Sequence, residues 1–229
     1  FNACSFTKNY TTGGTQHGDV FYAKGGTIGV NNCALYANGG YNQSGDIVLA
    51  SDGGKSQIPT LAVVNSTFYK NPEGYAFDGS TKYGIMYSYA NDSNVYYLNN
   101  VLLKPDSSAL KVGSGSATSV EVSGGFNYRG KLHVTNGCTY TTLGNEIEVT
   151  WDAVKDNFSL YGKGYRWIGL SEAEAASFTK ATLTDITTVL NNDTKTARFY
   201  TWLKSLSTTD PLTVDFYGNS RDTAAMWPG

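Results

Sequence analysis

Polar and apolar positions in the first half of the chain recur in a fixed order, neither a helical stripe nor a simple alternation. The phrase Asn2-Ala-Cys4-Ser-Phe6-Thr-Lys-Asn9 returns as Asn31-Asn-Cys33-Ala-Leu35-Tyr-Ala-Asn38 and as Val64-Asn-Ser66-Thr-Phe68-Tyr-Lys-Asn71. A looser copy is Leu98-Asn-Asn100-Val-Leu102-Leu-Lys-Pro105. Aligned, Phe6, Leu35, Phe68 and Leu102 form one column and Cys4, Cys33, Ser66 and Asn100 another, with successive members 29, 33 and 34 residues apart. A period of that size is the signature of stacked structural repeats.

Two further strands are expected in each repeat. Gly18-Asp-Val-Phe-Tyr-Ala23 is echoed by Gly45-Asp-Ile-Val-Leu-Ala50, Gly74-Tyr-Ala-Phe-Asp-Gly79 and Ser108-Ala-Leu-Lys-Val-Gly113. This alignment puts Phe21, Val48, Phe77 and Lys111 in an outward column and Tyr22, Leu49, Asp78 and Val112 in an inward one. A third strand leads into the opening phrase: Thr27-Ile-Gly-Val30, Thr60-Leu-Ala-Val63, Asn94-Val-Tyr-Tyr97 and Ser119-Val-Glu-Val122. Its period-two pattern aligns Ile28, Leu61, Val95 and Val120, then Val30, Val63, Tyr97 and Val122, facing inward. Gly-Gly, Asn-Gly, Asp-Gly and Asn-Pro breaks separate the strands.

Short strands between such turns also suit an antiparallel sandwich. A sandwich has no reason to repeat Asn, Cys/Ser, a large apolar residue and Asn at matching offsets, whereas a parallel β-helix stacks each column on itself. The expected fold is therefore an all-β, single-stranded parallel β-helix with three strands per coil over residues 1–145. Asn9, Asn38 and Asn71 are expected to form a turn ladder, with left-handed backbone angles within their reach. From Gly124 the repeat loses its shape, Gly124–Gly130 reads as a turn, and Lys131–Val134 as a closing strand. Residues 146–229 read as a small, partly helical cap over the open end of the stack. Ser171-Glu-Ala-Glu174 is a capping box that opens one short helix to about Lys180. Asp193 caps a second, whose stripe Phe199, Trp202, Leu203 and Leu206 is expected to pack on the end of the stack.

These rungs resemble right-handed parallel β-helix proteins of the pectate-lyase-like group, in particular secreted and surface proteins of Bacteroidetes. Asp215-Phe-Tyr-Gly218-Asn-Ser-Arg221 with Pro228-Gly229 is similar to a closing motif of such proteins. The resemblance covers about residues 1–135 and 210–229. It implies a fold, together with a group that contains polysaccharide lyases, glycoside hydrolases, adhesins and other surface proteins. Residue 1 opens inside a repeat without a start Met, so the chain is expected to be the distal part of a longer stack whose leader has been removed, at an extracellular or cell-surface location.

Composition narrows the function classes. Charged residues make up 16% of the chain and nearly cancel, at a formal net of −2, so the basic stripe that nucleic-acid binding requires is missing from the sequence. No apolar run is long enough to span a bilayer as a helix. Three cysteines, Cys4, Cys33 and Cys138, cannot pair completely, and stacking Cys4 on Cys33 aims their side chains poorly for a disulfide. No Cys/His cluster has metal-ligand spacing, so no metal site is expected from that signal.

Candidate chemistry lies on the outward columns. Asp19 and Asp46 share a column in this alignment, about 5 Å apart on adjacent coils. Two such carboxylates suit acid–nucleophile glycoside chemistry or a Ca²⁺ site. Lys111 and Arg129 are the bases that a lyase would call on, and His17 and His133 stand alone. Phe21, Tyr75 and Phe77 are candidate sugar-stacking rings, with Tyr83, Tyr87, Tyr89, Tyr96 and Tyr97 nearby in sequence. Three readings remain open: a non-catalytic extracellular module that contacts glycans or another surface; a polysaccharide lyase or glycoside hydrolase with a groove on the flank; and a purely structural segment.

Overall fold

A computed structural model describes residues 1–7, 9–11, 20–36, 38–40, 47–49, 60–69, 86–88, 94–103, 110–112, 120–135, 137–150 and 171–229. Among the described residues, most elements are short strands in parallel sheets, and three α-helices follow toward the C-terminus.

Three sheets take one strand from each repeat in turn. The first contains β1 (Ser5–Thr7), β5 (Ala34–Tyr36), β9 (Thr67–Tyr69), β12 (Val101–Leu103), β15 (Tyr128–Arg129) and β18 (Ile147–Glu148). The second contains β4 (Thr27–Asn31), β8 (Thr60–Val64), β11 (Asn94–Leu98), β14 (Glu121–Gly125) and β17 (Thr139–Thr142). The third contains β3 (Phe21–Ala23), β7 (Ile47–Leu49), β10 (Met86–Ser88), β13 (Leu110–Val112) and β16 (Leu132–Val134). A fourth, minor pair joins β2 (Tyr10–Thr11) to β6 (Gly39–Gly40).

All three main sheets contribute to one apolar core, which holds Val30, Leu35, Ile47, Leu61, Phe68 and Leu102 at 0–1% exposure. The column Phe6, Leu35, Phe68 and Leu102 pairs as the repeat predicts, and its next member is Arg129. The Cys4 column follows too. The Ala34 amide donates to the Cys4 carbonyl at 2.9 Å and the Thr67 amide to the Cys33 carbonyl at 2.9 Å. Side chains link the same column: Cys33 N–H donates to Ser66 Oγ (3.1 Å), Ser66 N–H to Asn100 Oδ1 (2.9 Å) and Asn100 N–H to Asn127 Oδ1 (2.9 Å). None of the three cysteines is in a disulfide, and burial pushes the Cys33 pKa up to about 11.

Several expectations are corrected by register. In the third sheet Phe21 pairs with Ile47 and Tyr22 with Val48, one residue out of step with the Gly-Asp alignment. Phe21 therefore turns inward against the rings of Phe1 (4.6 Å) and Phe6 (5.0 Å), and Tyr22 takes the outward place. The third repeat supplies Met86–Ser88 to this sheet in place of the 74–79 segment. That segment, with Asp78, lies outside the described residues. In the second sheet Val122, not Val120, pairs with Val95, and Gly124 pairs with Tyr97.

Gly124 and Gly125 consequently finish a strand where a turn was expected, and the repeat continues through Tyr128-Arg129 to Glu148. The expected boundary at 145/146 thus precedes a paired strand. These glycines serve close packing: a Cβ at Gly124 would overlap the Tyr140 hydroxyl, and one at Gly125 would meet the Gly144 amide at 3.0 Å. Among the described residues, the non-glycine residues with left-handed backbone angles are Ala3, Asn32, Asn65, Asn99 and Phe126, one per repeat at the corner between the second and first sheets. Asn9 and Asn38 are not among them, but they make the first step of the expected ladder, with Asn9 Nδ2 donating to Asn38 Oδ1 at 2.9 Å; Asn71 lies outside the described residues. Asparagine suits the corner because its short amide tolerates positive φ and bonds locally.

The C-terminal helices are α1 (Glu172–Ser177), α2 (Leu183–Asn192) and α3 (Thr194–Ser205), followed by a 3-10 turn at Pro211–Thr213. The Ser171/Glu174 capping box opens α1 and Asp193 caps α3, as the sequence predicts. The pattern missed α2, which has its own capping box in Thr182 and Asp185. Helix α3 packs on β4 and β8, against the outer face of the second sheet, where an end-on contact was expected. Its contact face is Thr196, Phe199, Tyr200 and Leu203; Trp202 and Leu206 are exposed. There it joins a second apolar cluster with the outward-facing Ala62, Val64 and Leu98. A third cluster covers the first sheet's outer face, uniting Tyr69, Val101, Leu103 and Tyr128 with Ala175 and Trp227.

The last twenty residues dock along the asparagine corner between those two faces. Asn32 Nδ2 donates to the carbonyls of Pro211 (2.9 Å) and Val214 (2.8 Å), and Asn99 Nδ2 to that of Trp227 (3.0 Å). Arg221 ties the segment together, with its guanidinium donating to the carbonyls of Val214, Trp227 and Gly229 and to Asn32 Oδ1. Burial pulls the Arg221 pKa down to about 10, opposed by the charge of Asp215.

Candidate functional site

The outer faces of the first and second sheets carry Val, Leu and Tyr side chains that the C-terminal segment buries. Strands of the third sheet are three residues long, so each offers a single central position between two flanking ones. Register puts Tyr22, Val48, Tyr87, Lys111 and His133 in that central column. Adjacent members of such a column are about 4.8 Å apart. At its two ends Tyr22 is 37% exposed and His133 is exposed, whereas the flanking Ala23, Ile47, Leu49, Leu110 and Val112 are buried. Lys24 Nζ lies 5.9 Å from the Tyr22 ring centroid, so a cation accompanies the ring. Tyr22 and His133 thus place an exposed aromatic ring at one end of the column and an exposed imidazole at the other, and flat rings of this kind can stack on a ligand.

Of the candidates named from the sequence, Asp19, Asp46, Tyr75, Phe77 and His17 lie outside the described residues, and so does the Ca²⁺ site suggested for the two aspartates. Phe21 is half-buried against Phe1 and Phe6. Among the described side chains of this sheet, Tyr22 and His133 are the exposed ones. The signal for Tyr22 was present: Ile47/Leu49, Leu110/Val112 and Leu132/Val134 are apolar two apart, and Phe21/Ala23 continues that pattern. The shared Gly-Asp dipeptide, one residue out of step in the first repeat, masked it.

Arg129 does not stand free as a base. Its Nε donates to Glu146 Oε2 at 3.0 Å and its Nη1 to Glu148 Oε2 at 2.7 Å. Glu146 Oε1 accepts from Tyr140 Oη (2.7 Å) and Asn127 Nδ2 (2.6 Å). Burial, and then the adjacent Glu146 carboxylate, pushes the Tyr140 hydroxyl far above its ordinary range. Glu146 is thus the terminal acceptor of the polar column that runs through Ser66, Asn100 and Asn127. The cluster closes the core where the Phe6–Leu102 column ends on a charged residue. Its hydrogen-bonding capacity is spent internally, which is the condition under which a buried charge is tolerated.

A second exposed feature sits on α3. Arg198 and Trp202 lie one turn apart and form a ridge, with Trp202 at 47% exposure. One groove beside it, of about 410 Å³, runs over Gly29 and Phe199 and includes Lys195. The groove on the other side is lined by Thr194, Ala197, Thr201 and Ser205. The stripe expectation had assigned Trp202 to the interior; the Phe199 ring over Gly29 instead sets the helix rotation, because any Cβ at Gly29 would overlap that ring.

Among the described residues, no group of three or more His, Cys, Asp or Glu side chains is arranged to hold a metal ion, and no helix is long and apolar enough to cross a membrane. Comparison with protein-family models, curated proteins and solved structures returned no match.

Proposed function

We propose that the chain is a non-catalytic parallel β-helix module of a secreted or surface-exposed bacterial protein, and that it contacts glycans through its outward side chains. The β-helix reading is supported by three parallel sheets that each draw one strand per repeat around a shared core. The resemblance to pectate-lyase-like surface proteins agrees with that order of strands. The observation that carries the functional reading is the Tyr22–His133 column. Among the described residues, its sheet supplies none to either outer apolar cluster of the C-terminal segment. Rings beside cations stack on sugar faces while hydroxyl and charged tips bond sugar hydroxyls.

A glycan array followed by affinity electrophoresis on immobilised polysaccharides tests the reading. Binding to at least one glycan is expected, and Tyr22→Ala should weaken it about tenfold, the scale of one lost stacking contact. A protein that retards on none of the polysaccharides would remove the glycan reading. Release of reducing ends or unsaturated products by the wild-type chain would replace it with the lyase or hydrolase alternative.

A further inference from the structure

Cys4 and Cys33 are the two thiols that the repeat stacks on each other, and glycan contact makes no use of them. Register fixes their relation: Ser5 pairs with Ala34, the next residues along, and the Ala34 amide donates to the Cys4 carbonyl. Both side chains take the same orientation. Cys4 Sγ donates to the Asn2 carbonyl at 3.3 Å and Cys33 Sγ to the Asn31 carbonyl at 3.2 Å, each reaching back two residues. Side chains that point the same way from adjacent coils hold their sulfurs about one rung, ~4.8 Å, apart. Burial raises the Cys33 pKa most; the next influences come from the Cys4 amide, which favours the thiolate, and the Cys4 thiol, which opposes it, as neighbours do. Cys33 is 2% exposed in the main core, and Cys4 packs against that core while staying partly exposed.

That spacing separates the reactions open to the pair. A disulfide needs sulfurs about 2.05 Å apart and a Cβ–S–S–Cβ angle of about 90°, whereas parallel side chains bring that angle close to eclipsed. A metal ion between the sulfurs needs neither. The zinc–thiolate bond of about 2.3 Å sets the scale for a first-row ion, and two such bonds in line span about 4.6 Å. Rotation about a linear S–metal–S axis is nearly free, so parallel side chains suit it. Two ligands are too few for zinc, which takes four in structural sites and three plus water in catalytic ones. Cu(I), with a filled d shell, accepts linear two-coordination, and thiolates are the soft ligands that select it. We propose that Cys4 and Cys33 form a two-coordinate Cu(I) site that bridges the first and second coils. Binding replaces two S–H bonds by two Cu–S bonds; both protons go to solvent, and neither copper nor sulfur changes oxidation state. The complex carries one negative charge, and the Cys4 amide, hydrogen-bonded to the Cys33 sulfur, offsets part of it. Cys4, the more exposed thiol, meets the ion first. Ser66 ends the site, because its hydroxyl is a hard ligand and donates to the Val64 carbonyl at 2.8 Å. The site is independent of the glycan reading, whose failure would leave it untouched.

The test titrates the reduced full chain with Cu(I) under anaerobic conditions, in competition with the chromogenic chelator bicinchoninate, whose absorbance reads the copper that the protein retains. Retention of one copper per chain is expected. Cys4→Ser and Cys33→Ser should each weaken it by more than about a hundredfold, since loss of a residue that only supports a ligand already costs about 10–100-fold. Cys138→Ser should leave it unchanged. Ser66 shows that a hydroxyl fits this column, accepting from the Cys33 amide and donating to the Val64 carbonyl, so both serine variants should keep the parent's circular dichroism. Cu(I) should raise the melting temperature of the parent and not that of Cys33→Ser, because the ion binds only the folded pair. Copper-edge X-ray absorption of the loaded chain should show two sulfur neighbours at one distance. No retention against the chelator overturns the site, and so does retention that persists when both cysteines are replaced together. A copper environment of nitrogen and oxygen overturns the ligand assignment. Ready conversion of the pair to a disulfide by oxidised glutathione, seen in peptide masses, overturns the parallel geometry on which the linear bridge depends.

Discussion

Phe126 occupies a backbone position, φ 59°, that three preceding repeats give to asparagine. The substitution holds because its ring packs over Gly144, where any side chain would collide with it. Adjacent to it, Asn127 continues the Ser66–Asn100 column and passes it to Glu146. The column itself was legible in the sequence, since Cys4, Cys33, Ser66 and Asn100 recur at matched offsets. Its last two members were not, because Gly124–Gly130 carries the composition of a turn and only tertiary packing makes it a strand. The buried Glu146 gives this scale its prediction. In Glu146→Gln, one oxygen can still accept from Tyr140 or Asn127, but the amide nitrogen that replaces the other faces the Arg129 guanidinium, donor against donor. Arg129 would keep only the partly exposed Glu148 as its counter-charge. Breaking a buried pair from one side costs about 3–5 kcal/mol. The remaining pair to Glu148 favours the lower end, and urea unfolding should show a loss of about 3 kcal/mol without a change of m-value.

At the scale of elements, the strands were read well where one apolar column fixed them and poorly where a dipeptide was used instead. Phe6, Leu35, Phe68 and Leu102 align in the structure as in the sequence; the Gly-Asp pairs of the first two repeats do not. A one-residue slip reverses which side chains face the core, so Phe21 and Tyr22 exchanged roles. Helix caps were legible in two of the three helices, and α2 escaped because its Thr-rich sequence has weak helix propensity. Helix α3 was recognised, but its face was not. The docking surface is decided by the column Gly29–Ala62 on the sheet, which admits the Phe199 ring only because both residues are small. Gly29→Ala should therefore destabilise the chain by about 1–3 kcal/mol, the range for overpacking a close contact. Trp202→Ala, one turn away on the exposed face, should change stability by less than about 0.5 kcal/mol. Parallel thermal melts of the two variants check the rotation of the helix: comparable losses would mean that Trp202, not Phe199, is the buried ring.

For the whole molecule, the C-terminal segment is the element that converts two apolar outer faces into interior. Its final stretch holds on through backbone carbonyls fixed by a single guanidinium and by corner asparagines, so side-chain chemistry at few positions governs a large buried area. Arg221→Lys keeps the charge but has three donors on a flexible stem for four acceptors arranged around a plane. A loss of about 2 kcal/mol is expected, seen as a melting point lower by about 5 °C. The loop that presents Arg221 is itself held by Asp215, whose carboxylate accepts from the amides of Tyr217 and Asn219 and from the Asn219 side chain. Partial burial would raise the Asp215 pKa, but the Asn219 and Tyr217 donors and the charge of Arg221 outweigh it and hold the group below its ordinary value. A carboxylate with a depressed folded-state pKa stabilises the fold above its unfolded pKa of about 3.9 and ceases to do so as pH falls through the folded value. Asp215→Asn should accordingly lower the melting point at pH 7, and the gap to the parent should close as the pH is brought from 5 to about 2. A gap that stays constant over that range would mean that the Asp215 side chain holds the loop by shape alone, with no contribution from its charge.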